Sequence, residues 1–318
     1  MFETTKRKAI SPVRAENRSI HTHQQVKLPS YAKINLGLSV CYKRPDGYHE
    51  IRTLFQQIDL ADELTFSLRP REISLSCDYP GVPADERNLC IQAARLLQHR
   101  AGTQTPGVHI DLHKVIPPGG GLGGGSSNAA VTLAALNHLW QLHFPLNVLQ
   151  DLARQLGADV PFFLSGGTAL ASGIGDLLEP VELWEAPWVV VACPSLHIST
   201  AWAYKELKIG LTKKGECGKF QGFLRARPRL SAWSEWLEND FERVVLPAFP
   251  KLMELRGELL AQGAEMASLS GSGACLFGLF ADRTKAQNAA QKVGEKTASF
   301  LARPTRWGYS EISTVFTR

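Results

Sequence analysis

Residues 31–40 alternate strictly between apolar and polar positions: Ala32, Ile34, Leu36, Leu38 and Val40 share one face, and Tyr31, Lys33, Asn35, Gly37 and Ser39 the other. A period of two is that of a half-buried strand. It sends Lys33 and Asn35 out together, about 6.6 Å apart, a spacing at which two polar groups can grip one small substrate. Shorter strand patterns follow at 64–68, 73–77 and 108–112, an apolar run at 188–192 reads as a buried strand, and another strand is expected at 276–280. Helical periodicity occupies 89–99, 128–140, 148–156 (stopped by Gly157), 232–245 and 250–262. The mixed order predicts an α+β fold rather than a regular βα alternation.

The pattern breaks most sharply at Pro117, Pro118, Gly119, Gly120, Gly121, Leu122, Gly123, Gly124, Gly125, Ser126 and Ser127, directly in front of the helical stretch that opens at Asn128. Glycines let the backbone lie close to a ligand, so that successive N–H groups can face one anion. The helix start behind them adds unpaired donors and a positive dipole end. This is the composition of a phosphate cradle, and a flexible linker would not stop at a helix. Ser126 and Ser127 suit an N-cap or an oxygen ligand for magnesium. Gly119, Gly121 and Gly124 satisfy G-x-G-x-x-G, but no acidic residue follows in 139–144 to hold a ribose, and no Gly-Lys-Ser or Gly-Lys-Thr of a P-loop is present.

With 318 residues and 44% apolar content the chain can bury a large core and suggests two domains, 28–193 and 194–318, behind a disordered basic leader, 1–27. The leader holds six Lys or Arg against two Glu, which accounts for four of the five net positive charges. A nearly neutral body argues against nucleic acid as the main partner. No apolar run approaches the ~20 residues of a membrane span, and the alternative for the leader is a transit peptide. The six cysteines are scattered without a C-x-x-C and read as reduced thiols of a cytoplasmic protein. From 208 to 229 seven basic residues stand against one acid, Glu216, and an exposed loop is expected there. The oligomeric state is left open.

Five motifs stand in order: 29–36 with Lys33 and Asn35; Arg44, Pro45, Asp46, Gly47, Tyr48 and His49; the glycine stretch; Gly157, Ala158, Asp159, Val160 and Pro161; and Ser270, Gly271, Ser272, Gly273 and Ala274. Together they resemble the GHMP kinase superfamily, and within it those members whose substrate carries a cytidine diphosphate group. The resemblance implies two α+β domains with the active site in the cleft between them. It also implies transfer of a phosphoryl group from ATP to a tertiary alcohol, a step of the non-mevalonate route to isoprenoid precursors. Carried over by motif, Lys33 and Asp159 would be the catalytic pair and 117–127 the ATP phosphate loop. Asn35, Tyr48 and His49 would bind substrate, the last two at its cytosine end, with Tyr204 as a second aromatic. Mg2+ would accompany ATP, with Ser127 as the direct protein ligand.

Each residue also has a plainer reading. Lys33 could be a surface lysine on an edge strand, Asp159 could cap a helix opening at Val160, and Tyr48 and His49 could be the far side of a turn. The competing functions are another GHMP kinase, acting on mevalonate, homoserine or a sugar, and a nucleotide-binding sensor that has lost its chemistry.

Overall fold

The structure is a computed structural model that describes residues 25–102, 105–208 and 217–316. Residues 1–24 of the expected leader lie outside the described residues, and 25–27 already belong to the first strand. The chain runs β1 (Gln25–Lys43), β2 (His49–Arg69), β3 (Ile73–Cys77), α1 (Leu89–Ala101), β4 (Gly107–His113), α2 (Gly124–Leu139), α3 (Leu146–Leu156), α4 (Val160–Ser165), β5 (Thr168–Ser172), β6 (Leu177–Pro180) and β7 (Trp188–Cys193). It continues with α5 (Thr200–Leu207), α6 (Phe220–Ala226), α7 (Glu242–Ala248), α8 (Pro250–Ala261), β8 (Met266–Leu269), β9 (Leu276–Phe280), α9 (Arg283–Gly294), β10 (Ala298–Ala302) and α10 (Tyr309–Phe316).

Two sheets organise these elements, giving the α+β class expected. In the first, the order is β3-β4-β2-β5-β6, with β1 antiparallel to β2 along nearly its whole length. In the second it is β10-β7-β9-β8. Helices α1 to α4 and α10 cover the outer face of the first sheet, where Phe55, Phe66, Leu133, Leu136, Phe162 and Ile312 share one core. The facing surfaces of the two sheets meet in a second core that includes Ile34, Leu36, Ile58, Val189, Val191 and Phe277. A third lies under α7, α8 and α9.

This layering explains where the chain departs from its pattern. Residues 32–38 are buried without exception, since sheet and helix cover both faces of β1, so Lys33 and Asn35 are not on a solvent face. The strand β7, expected to close a first domain at Cys193, lies in the second sheet between β10 and β9, and α10 returns to the first core. The period-two and apolar patterns specify a strand but not its sheet. The helical pattern at 232–245 is divided into a short 3-10 turn, Leu230–Glu235, and α7. Between them Asp240 accepts a bond from Val40 N at 2.8 Å and Asn239 donates to Leu269 O and Gly271 O, which pins this segment to β1 and the second glycine loop.

The basic run expected as an exposed loop holds α6, whose Phe220 and Phe223 are buried between the sheets, while 209–216 lie outside the described residues. The reading of all six cysteines as reduced is also revised. Cys41 and Cys217 are joined with Cα atoms 5.4 Å apart, a pairing that 176 residues of separation conceal, while Cys77, Cys90, Cys193 and Cys275 are free thiols.

Candidate active site

Lys33 reaches the site from β1 and Asp159 from the turn between α3 and α4. Their side chains meet with Nζ 3.5 Å from Oδ2, and the lysine side chain is 5% exposed against 34% for the aspartate. A buried ammonium needs compensation. Lys33 has it from Asp159, from a bond to Asn35 Oδ1 at 2.7 Å, and from the face of Phe55, 5.0 Å away. Asp159 occupies the N-cap position of α4 yet makes no capping bond, so the plainer reading of it as a helix cap is not what the side chain does. Asn35, expected to touch substrate, is 1% exposed with its amide engaged at both ends, by Lys33 and by Thr53 Oγ1. It holds the lysine.

The glycine stretch passes directly beside this pair. Lys33 N donates to Leu122 O at 2.9 Å, Cys275 N to Gly120 O at 3.1 Å, and Ser270 Oγ to Gly121 O at 2.9 Å. The loop is thus clamped between β1 and the second glycine turn. Gly121 has φ +83, and a Cβ there would stand 2.0 Å from Ser270 O. Gly123, at φ +71, makes the entry to α2 in the left-handed region, and its Cβ would stand 2.7 Å from Phe163 and 3.2 Å from Lys33 Cγ. Only glycine permits both approaches.

Because Gly123 is the N-cap, α2 starts at Gly124, earlier than expected, and the serines fall inside its first turn rather than at the cap. Ser127 N closes the first helical bond to Gly123 O at 2.9 Å. The preceding N–H groups of Gly124, Gly125 and Ser126 have no intrahelical acceptor, the N-cap Gly123 has no side chain to cap them, and no acidic residue sits in the turn. An anion fits this end. Ser127, expected to ligate magnesium, is 1% exposed and accepts from Ser30 Oγ at 2.8 Å. Its hydroxyl belongs to a buried network in which Asn128 donates to Ser30 and Asp62. Ser126 is the half-buried hydroxyl of the pair.

Asp62 deserves its own place in the site. It is paired with Lys114 at side-chain exposures of 0% and 4%, and it also accepts from Val115 N at 2.8 Å and Ile116 N at 2.7 Å. The pair therefore fixes the strand-to-loop corner that launches the glycine stretch. Nothing in the local sequence marks Asp62 or Thr53, because each acts through residues distant in the chain.

A third group lines a cleft of about 690 Å³ bounded by Tyr48, His49, Ala158, Ile174, Thr200 and Tyr204. The turn expected at 45–47 is present, with Arg44 N donating to Tyr48 O at 2.7 Å and Gly47 at φ +89. It delivers Tyr48 61% exposed and His49 stacked on Tyr204, ring centroids 4.6 Å apart and planes 12° from parallel. Tyr204 rests edge-on against Phe241 at 4.9 Å. Burial, and then the negative charge of Asp159, push the Tyr204 phenol up to about 12, which ties this aromatic group electrostatically to Asp159. Burial, and then Lys43, lower His49 below its ordinary 6.5. Lys33 and Asp159 thus meet beside the glycine stretch, and Ala158, the neighbour of Asp159, lines the cleft that holds His49 and Tyr204.

Comparison with known proteins agrees with this geometry. Residues 88–167 match the model of the GHMP kinases N terminal domain and residues 222–298 that of the GHMP kinases C terminal region. A 4-diphosphocytidyl-2-C-methyl-D-erythritol kinase from Prosthecochloris aestuarii is 44% identical over 285 residues, covering 89% of this chain and 97% of the relative. A crystal structure of 4-(cytidine 5'-diphospho)-2C-methyl-D-erythritol kinase superposes with a TM-score of 0.73 at 36% identity, over 87% of this chain and 98% of that one. The homoserine kinase of Cytophaga hutchinsonii superposes with a TM-score of 0.68 at 18% identity, over 93% and 98% of the two chains, and shares the fold.

Proposed function

The chain belongs to the 4-diphosphocytidyl-2-C-methyl-D-erythritol kinase family of GHMP kinases, and from that membership we propose that it transfers the γ-phosphoryl group of ATP to the 2-hydroxyl of 4-diphosphocytidyl-2-C-methyl-D-erythritol. The observation that carries the reading is the buried Lys33 ammonium held 3.5 Å from Asp159, beside a helix N-terminus with three uncapped donors.

The triphosphate lies against residues 117–127, where main-chain N–H groups and the α2 dipole meet its charge. The substrate alcohol sits between Asp159 and the γ-phosphate. A carboxylate is a poor base for an alcohol, but in a loose transition state the attacking oxygen gains little charge until late. Asp159 therefore orients the hydroxyl and accepts its proton as the new bond forms. Lys33 fixes the carboxylate and shares the charge of the arriving oxygen. At 3.5 Å and an effective dielectric near 20 their attraction is roughly 5 kcal/mol before desolvation, enough to hold the pair in register.

The cytosine packs against Tyr48 and the His49–Tyr204 stack, whose 4.6 Å separation leaves no room for a base between those two rings. Magnesium would be held by Ser126, phosphate oxygens and water, and would neutralise the β- and γ-phosphates. Among the described residues no cluster of three His, Cys, Asp or Glu side chains competes for that role. The ATP-binding unit then comprises 25–187 with α10, and the second unit 188–302. The cytoplasm is the proposed location, and no described helix is long and apolar enough to cross a membrane.

The test is ADP release with the cytidyl substrate, mevalonate and homoserine in turn, with the Asp159→Asn variant alongside. Turnover is expected with the cytidyl substrate only. Asp159→Asn should lose about 10²–10⁴-fold in kcat while retaining both ligands, the range for a positioned proton acceptor. Full activity in that variant would remove Asp159 from the mechanism.

A further inference from the structure

Behind the Lys33 ammonium runs a chain of hydrogen bonds with a fixed direction. Lys33 Nζ donates to Asn35 Oδ1 at 2.7 Å, Asn35 Nδ2 donates to Thr53 Oγ1 at 2.8 Å, and Thr53 Oγ1 donates to Gly37 O at 2.7 Å. All three side chains are buried, at 4%, 1% and 0% exposure for Lys33, Asn35 and Thr53. Thr53 comes from β2, facing β1 where the register shifts between Asn35 and Gly37, so the irregularity in the strand pair is what brings the hydroxyl under the amide.

The chemistry of the three groups allows this order and opposes its reverse. An ammonium only donates, so the amide must turn its oxygen to Lys33. That leaves the amide NH2 facing inward, where it needs an acceptor. A threonine hydroxyl has one proton, and here the carbonyl of Gly37 takes it, so its lone pairs are presented to Asn35. If the amide flipped, an NH2 group would confront the ammonium at 2.7 Å, two donors with no acceptor between them.

We propose that Thr53 is a positioning residue for the phosphoryl transfer, which sets the orientation of Asn35 and through it the place of the Lys33 ammonium beside Asp159. The inference rests on the reading of Lys33 and Asp159 as the catalytic pair. Thr53 is fully buried, with its hydroxyl engaged by Asn35 and Gly37. Its contribution is to geometry, and misplacement of a reacting group by about 1 Å can cost on the order of 100-fold in rate.

The experiment compares Thr53→Val, which keeps the shape and removes the acceptor, with Thr53→Ser, which keeps the hydroxyl. Kinetics for both substrates are measured on full-length protein whose folding is checked by thermal unfolding. Thr53→Val is expected to lower kcat by about 10- to 100-fold with KM for ATP and for the cytidyl substrate within about threefold, and Thr53→Ser to remain within about threefold of the parent. Asn35→Ala should show a similar loss, and adding Thr53→Val to it should lower kcat by less than about twofold more, because residues acting in series are not additive. If Thr53→Val does not fold, Thr53→Cys carries the same comparison, its weak sulfur acceptor giving an intermediate loss.

A parent-like kcat in Thr53→Val or Thr53→Cys, or full multiplication of the two losses in the double variant, overturns the proposal. Lys33→Met separates this from failure of the catalytic reading. If Lys33→Met is inactive while Thr53→Val keeps the parent kcat, only the positioning role falls. If Lys33→Met is fully active, the assignment of the pair falls first.

Discussion

Gly125 separates a structural glycine from one kept open for a ligand. It is exposed, in the first turn of α2, and its φ is not in the left-handed region. A Cβ built on it meets only Leu89 Cδ1, at 3.8 Å, an ordinary contact. For the fold alone, Gly125→Ala is favourable, because alanine loses less backbone entropy and is better suited to a helix by about 0.5–1 kcal/mol. In a chain of this size that raises the thermal midpoint by about 1–2 °C. In the proposed binding mode the same methyl stands on the open side of the cradle, where it would keep the triphosphate from one main-chain donor. A charge-assisted hydrogen bond is worth about 1.5–3 kcal/mol, so KM for ATP should rise about 10- to 150-fold. Differential scanning fluorimetry and ADP-release kinetics on one preparation give both readings. A variant with an unchanged KM for ATP would mean that the triphosphate does not lie against this turn.

Removing the Tyr48 ring by Tyr48→Ala should leave the fold and KM for ATP unchanged, since the ring is 61% exposed. It should raise KM for the cytidyl substrate about 5- to 150-fold, the equivalent of ~1–3 kcal/mol of base stacking, as steady-state kinetics would show. Asp62→Asn should destabilise the protein by about 3–5 kcal/mol in denaturant unfolding, because it leaves the buried Lys114 ammonium without its counter-charge. His49 should be neutral at pH 7, since burial lowers it below 6.5. A lowered histidine binds its proton at higher pH in the unfolded chain, so its contribution to stability is complete above 6.5 and declines as pH falls from there towards the folded value. Unfolding of His49→Gln against the parent between pH 5 and 8 should show a shallower slope in the variant, the part that remains coming from His138, which burial also lowers.

Local signals were enough to place most elements. The glycine stretch announced a helix start, and Gly157 stopped α3 where its lack of a side chain suggested. The alternation at 31–40 marked a strand carrying Lys33. What the alternation could not convey is that both faces of that strand are covered, because burial of its polar face depends on α2 and β2, which no local pattern connects to it.

The same limit governs the site. Lys33, Asp159 and His49 were legible as motif residues and Tyr204 only through the resemblance; Lys33 meets Asp159, and His49 stacks on Tyr204. Asn35 was legible as a partner of Lys33 in spacing, yet its role depends on Thr53, which stands 18 residues on and meets it only across the β1–β2 pair. The burial of Ser127, against the half-buried Ser126, rests in part on Ser30, 97 residues before it. Cys41 and Cys217 are a further case, joined only because α6 inserts between the sheets and brings the second cysteine to the end of β1.

A crystal structure of the protein with 4-diphosphocytidyl-2-C-methyl-D-erythritol and a non-hydrolysable ATP analogue bears most directly on the catalytic geometry. The expected result is a γ-phosphate at the first-turn N–H groups of α2, the substrate 2-hydroxyl within hydrogen-bond reach of Asp159, and Lys33 beside it. A triphosphate seated away from Gly125, or a hydroxyl more than about 5 Å from both Lys33 and Asp159 with the cleft fully occupied, would contradict it.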